Sequence, residues 1–379
     1  MFPWEEYRSN LYVERKEFTD LLTWINSSPV QKQVKSLVAA PGTGKSWFLK
    51  AVPGKLKQTR VHHSPASPER LVIFCDAPSL VNREQITGAI LNQDAVFKWL
   101  EEIIQDALPI YPTVDSIAID RDREIAAITG DLANVFCAER SQKPTVVVLV
   151  DGLDDIPDQA SVVENQILEP FIGKECIRMV VAHRDEYGLK SYTLRRNNGE
   201  QARLPLSPLP SADEQFKKFK DECHPSATHL TTAVLGQFMQ SLKRYRWNHP
   251  YINAFLFDVA LMRPDSDIAH LLTTDDLRVC LFAVAERRDE SDKPRFGSLS
   301  PNAFNYLKCI ASELKDGANG EPKIDWTLTD LEKQLGIKED SYLKQLFDFG
   351  IAFYNPQTKR YQLADGIREL ACDLVERGG

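Results

Sequence analysis

Short apolar runs separated by longer amphipathic stretches fill residues 34–206 of the chain. The runs Lys35–Ala39, Leu71–Cys75, Thr145–Val150, Ile177–Ala182 and Arg203–Leu206 read as β-strands. Between them, Ser46–Lys57, Asp94–Ala107, Arg123–Arg140 and Gln159–Phe171 carry the apolar period of helices. The strands are apolar throughout rather than alternating, as strands covered on both faces must be. The pattern predicts an α/β fold, a parallel sheet with helices on both faces.

After Pro208-Leu209-Pro210 the strand pattern stops. Ser211 and Glu214 have the spacing of a capping box, and helical periodicity continues through 212–222, 229–244, 251–262 and 275–287. Polar residues 289–300 read as a linker. Helices are then expected at Ala303–Leu314, Thr329–Leu335 and Asp340–Phe349, the second capped by Thr329 with Glu332 and stopped by Gly336. A hairpin of Ile351–Tyr354 and Tyr361–Leu363 and a closing helix over 366–377 follow. Three helices and a hairpin are the order of a winged helix.

Two stretches carry chemistry. Ala39-Ala40-Pro41-Gly42-Thr43-Gly44-Lys45-Ser46 follows a strand and opens a helix at Trp47, the context of a phosphate-binding loop. Within Pro41-Gly42-Thr43-Gly44 the glycines let backbone N–H groups close around phosphates, Lys45 reaches the β- and γ-phosphates, and Ser46 sits on Mg²⁺. Ala39 holds the position of the usual first glycine, so the turn there must accept a Cβ. The second stretch, Val146 to Asp155, is an apolar strand delivering Asp151, Asp154 and Asp155 to its C-terminal end. Asp151 suits the metal, and Asp154 and Asp155 compete for the attacking water. Together these motifs predict a P-loop nucleotide-binding domain over 1–209, an all-α helical subdomain over 210–290 and a winged-helix domain over 291–379. The ligands expected are ATP or ADP with Mg²⁺.

Composition narrows the partners. The 379 residues are 43% hydrophobic, enough for two or three domains. No apolar run approaches the roughly 18 residues of a membrane span, and the N-terminus has no secretory pattern. Seven scattered cysteines without Cys-x-x-Cys are expected to be reduced thiols in a cytoplasmic protein. A formal net charge of −8 argues against nucleic acid as the main partner. Residues 301–379 hold 10 Lys and Arg against 13 Asp and Glu, and the third helix there carries two acids and one base. A groove-reading helix needs the opposite, so the winged helix is expected to pack rather than read DNA.

The ordered set of motifs resembles the STAND class of P-loop ATPases, which includes the NACHT and NB-ARC proteins. The resemblance covers residues 11–379. Tyr12-Val13-Glu14-Arg15-Lys16-Glu17-Phe18 resembles the family's first motif, with Glu14 in place of its glycine, and implies that Val13 and Arg15 lie by the adenine. Asp151-Gly152-Leu153-Asp154-Asp155 is close to the NACHT acidic motif, whose last residue is commonly Glu. The missing methylene at Asp155 implies weak hydrolysis. Val180-Val181-Ala182-His183-Arg184 resembles the sensor strand, which makes Arg184 a γ-phosphate contact; the competing reading is a surface pair with Asp185 or Glu186. Asn248-His249-Pro250-Tyr251 resembles the Gly-x-Pro motif, whose proline packs on adenine, although Pro250 also suits a helix start. Leu363-Ala364-Asp365 aligns with the Met-His-Asp motif, but Ala364 cannot hold the ADP β-phosphate as the family histidine does.

The resemblance implies a slow ATPase that works as a molecular switch in signalling or defence. No effector domain or repeat array is expected on the chain itself. Partner proteins in trans would supply effector or sensor, and ATP-dependent homo-oligomers fit the same scheme. The alternative is a DNA-associated AAA-type ATPase of the replication-initiator or transposition-regulator kind. A metabolic kinase or GTPase fits less well, because no Asn-Lys-x-Asp guanine motif occurs.

Overall fold

The computed structural model describes residues 7–27, 33–39, 43–62, 70–81, 91–138, 146–156, 159–184, 188–198, 202–207, 212–223, 301–315, 326–337, 342–343, 346, 352–355 and 360–363. Two units are distinguished, one of Glu14–Ala39 and Lys45–Ser207, the other of Met1–Val13, Ala40–Gly44 and Pro208–Gly379.

Five parallel strands run through the first unit: β1 (Val34–Val38), β2 (Leu71–Asp76), β3 (Val146–Asp151), β4 (Ile177–His183) and β5 (Arg203–Pro205). Their order across the sheet is β2-β3-β4-β1-β5. Each lies within a residue or so of its sequence-predicted span. β4 is buried at every position and β3 at all but Asp151, as β-branched runs covered on both faces should be. Because β4 sits between β1 and β3, whatever leaves its C-terminal end emerges between the phosphate-loop strand and the acidic strand.

Helices α1 (Glu17–Asn26), α2 (Lys45–His62), α3 (Gln93–Ala107), α4 (Ile125–Ala138) and α6 (Tyr192–Asn197) surround the sheet's connections, and short α5 (Ala160–Val163) follows β3. The expected single helix over Gln159–Phe171 is broken. After α5 the chain makes a π-turn over Glu164–Leu168 and a 3₁₀ turn over Glu169–Phe171. Pro170 removes a backbone donor and disfavours helix at the residue before it. In addition, the buried Thr129 hydroxyl of α4 donates to the Gln166 carbonyl at 3.3 Å, a side-chain insertion of the kind that unwinds a helical ladder.

The expectation of reduced cysteines fails at one pair. Cys137 at the end of α4 and Cys176 just before β4 form a disulfide, while Cys75 and Cys309 are free thiols. Nothing in a 39-residue separation reveals this pairing; the crossover that carries the chain from α4 through β3 to β4 creates it.

In the second unit, α7 (Ala212–Cys223) is followed by the helices Pro301–Lys315 and Leu328–Leu335 and an antiparallel hairpin of β6 (Ala352–Asn355) and β7 (Arg360–Leu363). Trp326 and Tyr361 exchange backbone hydrogen bonds beside the hairpin, and Leu343 and Leu346 are buried helical positions. Helix, helix, helical positions and hairpin follow the winged-helix order. The cap of the second helix is corrected: Thr327 and Asp330 form a reciprocal capping box, two residues ahead of the expected Thr329 and Glu332. Gly336 stops it in the left-handed region as expected, at φ 65°. The helices expected within 229–287, the linker 289–300, the closing helix 366–377, and Pro250, Ala364 and Asp365 lie outside the described residues. Among the described residues no helix is long and apolar enough to cross a membrane.

Candidate nucleotide site

The C-terminal ends of β1, β4 and β3 bring the candidate residues of the first unit together. The ladder continues one residue past β1, where the Ala39 N–H donates to the His183 carbonyl at 3.3 Å. Ala39 is therefore still strand-like, which explains how alanine replaces the expected glycine. Of the loop itself, Pro41 and Gly42 lie outside the described residues. Gly44 has φ 89°, a conformation that favours glycine immediately before α2. Lys45, the first residue of α2, folds its Nζ back to donate to the Ala39 carbonyl at 2.9 Å. Burial pulls the Lys45 ammonium down from its ordinary pKa, and Asp154 is the largest influence opposing that shift.

Ser46 hydrogen-bonds through its side chain to Asp151. Burial pushes the Asp151 carboxyl up to about 6, against the pull of Ser46 and Lys45 and with that of Asp154 and Asp155. A hydroxyl and an enclosed carboxylate short of positive charge, side by side at a strand end, fit a hard divalent cation such as Mg²⁺. Ser46 and Asp151 are the residues that would hold it.

Immediately after Asp151 the chain turns through Gly152 at φ 75° into a 3₁₀ turn over Leu153–Asp155. A Cβ at Gly152 would stand 2.6 Å from Cδ of Pro78, so both conformation and space call for glycine. Leu153 is fully buried and anchors the turn, presenting the two aspartates to Arg184. The Arg184 backbone N–H and Nε reach Asp154 Oδ2 at 2.9 and 3.2 Å, and its Nη2 reaches Asp155 Oδ1 at 3.2 Å. Arg184 thus pairs with the acidic motif on the neighbouring strand; Asp185 and Glu186, its alternative partners, lie outside the described residues. The aspartates differ in access, with 7% of the Asp154 side chain exposed against 48% for Asp155.

The first-motif residues lie at the start of the unit. Arg15 is buried and its Nη1 donates to the Ser207 carbonyl, while Glu17 accepts from the Ser207 N–H at 3.0 Å. They tie the start of the unit to its end beyond β5. Val13 is buried in the second unit, and Trp47 is half-buried on α2.

Sequence reasoning missed a buried polar chain beneath Arg184. His183 Nδ1 lies 2.7 Å from the Arg184 carbonyl and its Nε2 lies 2.8 Å from Ser36 Oγ. Asn198 Nδ2 donates to the same Ser36 oxygen at 2.5 Å. Burial lowers the His183 pKa below its ordinary value. The one available signal was a polar pair, Lys35 and Ser36, inside a strand that is otherwise valine and leucine.

No family model matches the sequence, and no curated protein matches it. Solved structures do. The Walker-type ATPase of Pyrococcus abyssi is similar over 97% of this chain and 98% of its own, at 14% identity and a TM-score of 0.57. The ORC1 protein of Aeropyrum pernix in complex with DNA covers 99% of this chain and 97% of its own, at 12% identity and TM-score 0.42. The ORC2 protein of the same organism, in ADPNP-ADP complexes, covers 96% and 91% at 13% identity and TM-score 0.39. The likeness to the Walker-type ATPase is one of fold. The chain has a P-loop NTPase fold.

Proposed function

We propose that this chain is a Mg²⁺-dependent ATPase that uses its nucleotide state to change conformation or assembly. One observation carries the reading: a single guanidinium, Arg184, engages both acidic-motif carboxylates at the strand end beside β1, from which the phosphate loop departs. An incoming γ-phosphate offers that guanidinium a stronger, charge-assisted partner, so Arg184 exchanges aspartate for phosphate only in the triphosphate state. The released Asp155, the more accessible of the two, is the group we assign to orient water; Asp154 stays as the anchor of the Arg184 main chain. Lys45 neutralises phosphate charge. A Mg²⁺ ion held at Ser46 and Asp151 would supply further neutralisation of the β- and γ-oxygens. The short Asp155 side chain makes turnover slow.

For the output, the DNA-associated AAA-type reading is favoured over the STAND reading by a local charge pattern. Helix α6 and its flanks expose Lys190, Tyr192, Arg195, Arg196 and Arg203, with Tyr192 70% exposed. Tyr192, Arg195 and Arg196 share one helical face. From 188 to 203 the sequence holds four Lys and Arg and one acid. The whole-chain charge of −8, used above to argue against nucleic acid, averages away this basic segment. Cations interleaved with an exposed aromatic suit a phosphate backbone and a base face. The whole-length likeness to a Walker-type ATPase accords with an ATPase of either kind. The STAND reading rests on the order of motifs, and it assigns the same switch to protein partners and a cytoplasmic setting.

Duplex binding measured by anisotropy across a salt series, with ATP and Mg²⁺ present, separates the two. The DNA reading expects binding that weakens steeply with salt, with a slope reduced by about two in Arg195→Ala/Arg196→Ala. Absence of DNA binding at low salt, combined with ATP-dependent assembly, supports the STAND switch instead.

A further inference from the structure

We propose that Ser36, His183 and Asn198 are positioning residues for Arg184, a buried chain that holds the nucleotide-reading arginine in register with the phosphate-loop strand. The inference rests on the ATPase reading of the same site and goes beyond it.

The donors and acceptors fix one direction along the chain. The Arg184 carbonyl can only accept, so in the neutral ring the proton sits on Nδ1, and Ser36 Oγ, which accepts from Asn198 Nδ2, turns its own proton toward His183 Nε2. That nitrogen then accepts, and the imidazole carries its proton on Nδ1, facing the Arg184 carbonyl. A single neutral tautomer satisfies every link. The lowered pKa of His183 agrees with a neutral ring at neutral pH. Ser36 and His183 are both buried, where a broken link leaves a polar group without water.

The placement gives the chain its purpose. Ser36 lies two residues before the end of β1, on the strand that feeds the phosphate loop, and pairs in register with Val181 of β4. His183 ends β4, and its neighbour Arg184 sends N–H and Nε to Asp154. The Arg184 main chain is therefore gripped from both sides, its carbonyl by His183 and its N–H by Asp154. Asn198 is the C-terminal cap of α6, whose own N-cap residue, Ser191, donates its N–H to the buried Glu164 at 2.5 Å. Helix α6 is thus fastened at both ends, and its C-terminal fastening is the start of the chain that reaches Arg184. An arginine that must exchange an aspartate for a phosphate needs a fixed main chain so that only the side chain moves.

The test uses the full-length protein and compares affinities for ADP and for a non-hydrolysable ATP analogue, both with Mg²⁺, by calorimetry. Ser36→Ala and Asn198→Ala are expected to keep ADP affinity within about twofold and to lower the preference for the triphosphate by about fivefold or more. Added to Arg184→Ala, neither should lower that preference further, because they act through the same residue. Asn198→Ala, at a helix end, serves if Ser36→Ala does not fold. Equal losses for both nucleotides, effects additive with Arg184→Ala, or an unchanged preference would each overturn the positioning role. A wild-type chain that binds neither nucleotide overturns the ATPase reading and this proposal with it; triphosphate binding that depends on Lys45 but ignores Ser36 and Asn198 overturns only this proposal.

Discussion

Arg184 grips Asp154 twice, through its backbone N–H at 2.9 Å and its Nε at 3.2 Å, both to the same carboxylate oxygen. Asp154 is nearly buried, so the pair contributes to the structure. Arg184→Ala leaves that carboxylate short of its cation and should cost on the order of 1–3 kcal/mol of stability. The double variant Arg184→Ala/Asp154→Asn should recover most of the loss. Urea denaturation of the four proteins in the cycle measures this, and an additive double variant would contradict the pairing.

Burial of the Asp151 carboxylate carries a cost that a bound cation would relieve. Its folded pKa, about 6, stands above the 3.8 of a free carboxyl. The folded state therefore binds the proton more tightly, and the stability this group contributes is present at low pH and lost as pH rises from about 4 to about 6. At pH 7.5 without metal, Asp151→Asn should be more stable than wild type by about 3 kcal/mol. Mg²⁺ should narrow the gap by stabilising only the wild type. Thermal melts with EDTA and with Mg²⁺ read both effects.

Turnover should respond to the length of the residue 155 side chain. Asp155→Glu adds the missing methylene and should raise ATP hydrolysis about tenfold, while Asp155→Asn should reduce it about as much. Phosphate release under saturating ATP distinguishes these. An Asp155→Asn protein with wild-type turnover would move the water-directing role to Asp154.

Gly152 turns the chain where a Cβ would stand 2.6 Å from the Pro78 ring. Gly152→Ala should lose about 1–3 kcal/mol from strain and crowding. Pro78→Ala in the same chain should restore part of that loss, since it removes the crowding and leaves the positive φ.

The parallel sheet was legible because burial on both faces writes itself as predominantly apolar, Val-rich runs, most plainly Val146–Val150 of β3 and Met179–Ala182 of β4. That Lys45, Ser46, Asp151 and the acidic pair come together was legible because they stand in the fixed local order that the phosphate-loop and acidic-strand patterns give. Helix α1 was overlooked although Phe18, Leu21 and Ile25 carry its buried period; the reading of that stretch as a binding motif masked it. The break at Glu164–Leu168 and the Cys137–Cys176 disulfide depend on partners brought near by the fold, Thr129 for the first and the α4–β4 crossover for the second. The same is true of Ser36 and Asn198, which lie 162 residues apart in the sequence. No local pattern links such pairs. A net charge has a related blind spot, since a total cannot report that four basic residues cluster around α6.

The central claim is that Lys45, Ser46, Asp151 and Arg184 form one site that binds ATP and reads its γ-phosphate. Calorimetric titration of Mg²⁺-ADP and a Mg²⁺-bound non-hydrolysable ATP analogue into wild type, Lys45→Ala and Arg184→Ala tests it most directly. The account predicts that wild type binds both and prefers the triphosphate, that Lys45→Ala loses about 100-fold or more for both, and that Arg184→Ala keeps ADP affinity but loses the preference. Wild-type protein that binds neither nucleotide, or an Arg184→Ala protein with the preference intact, would contradict it.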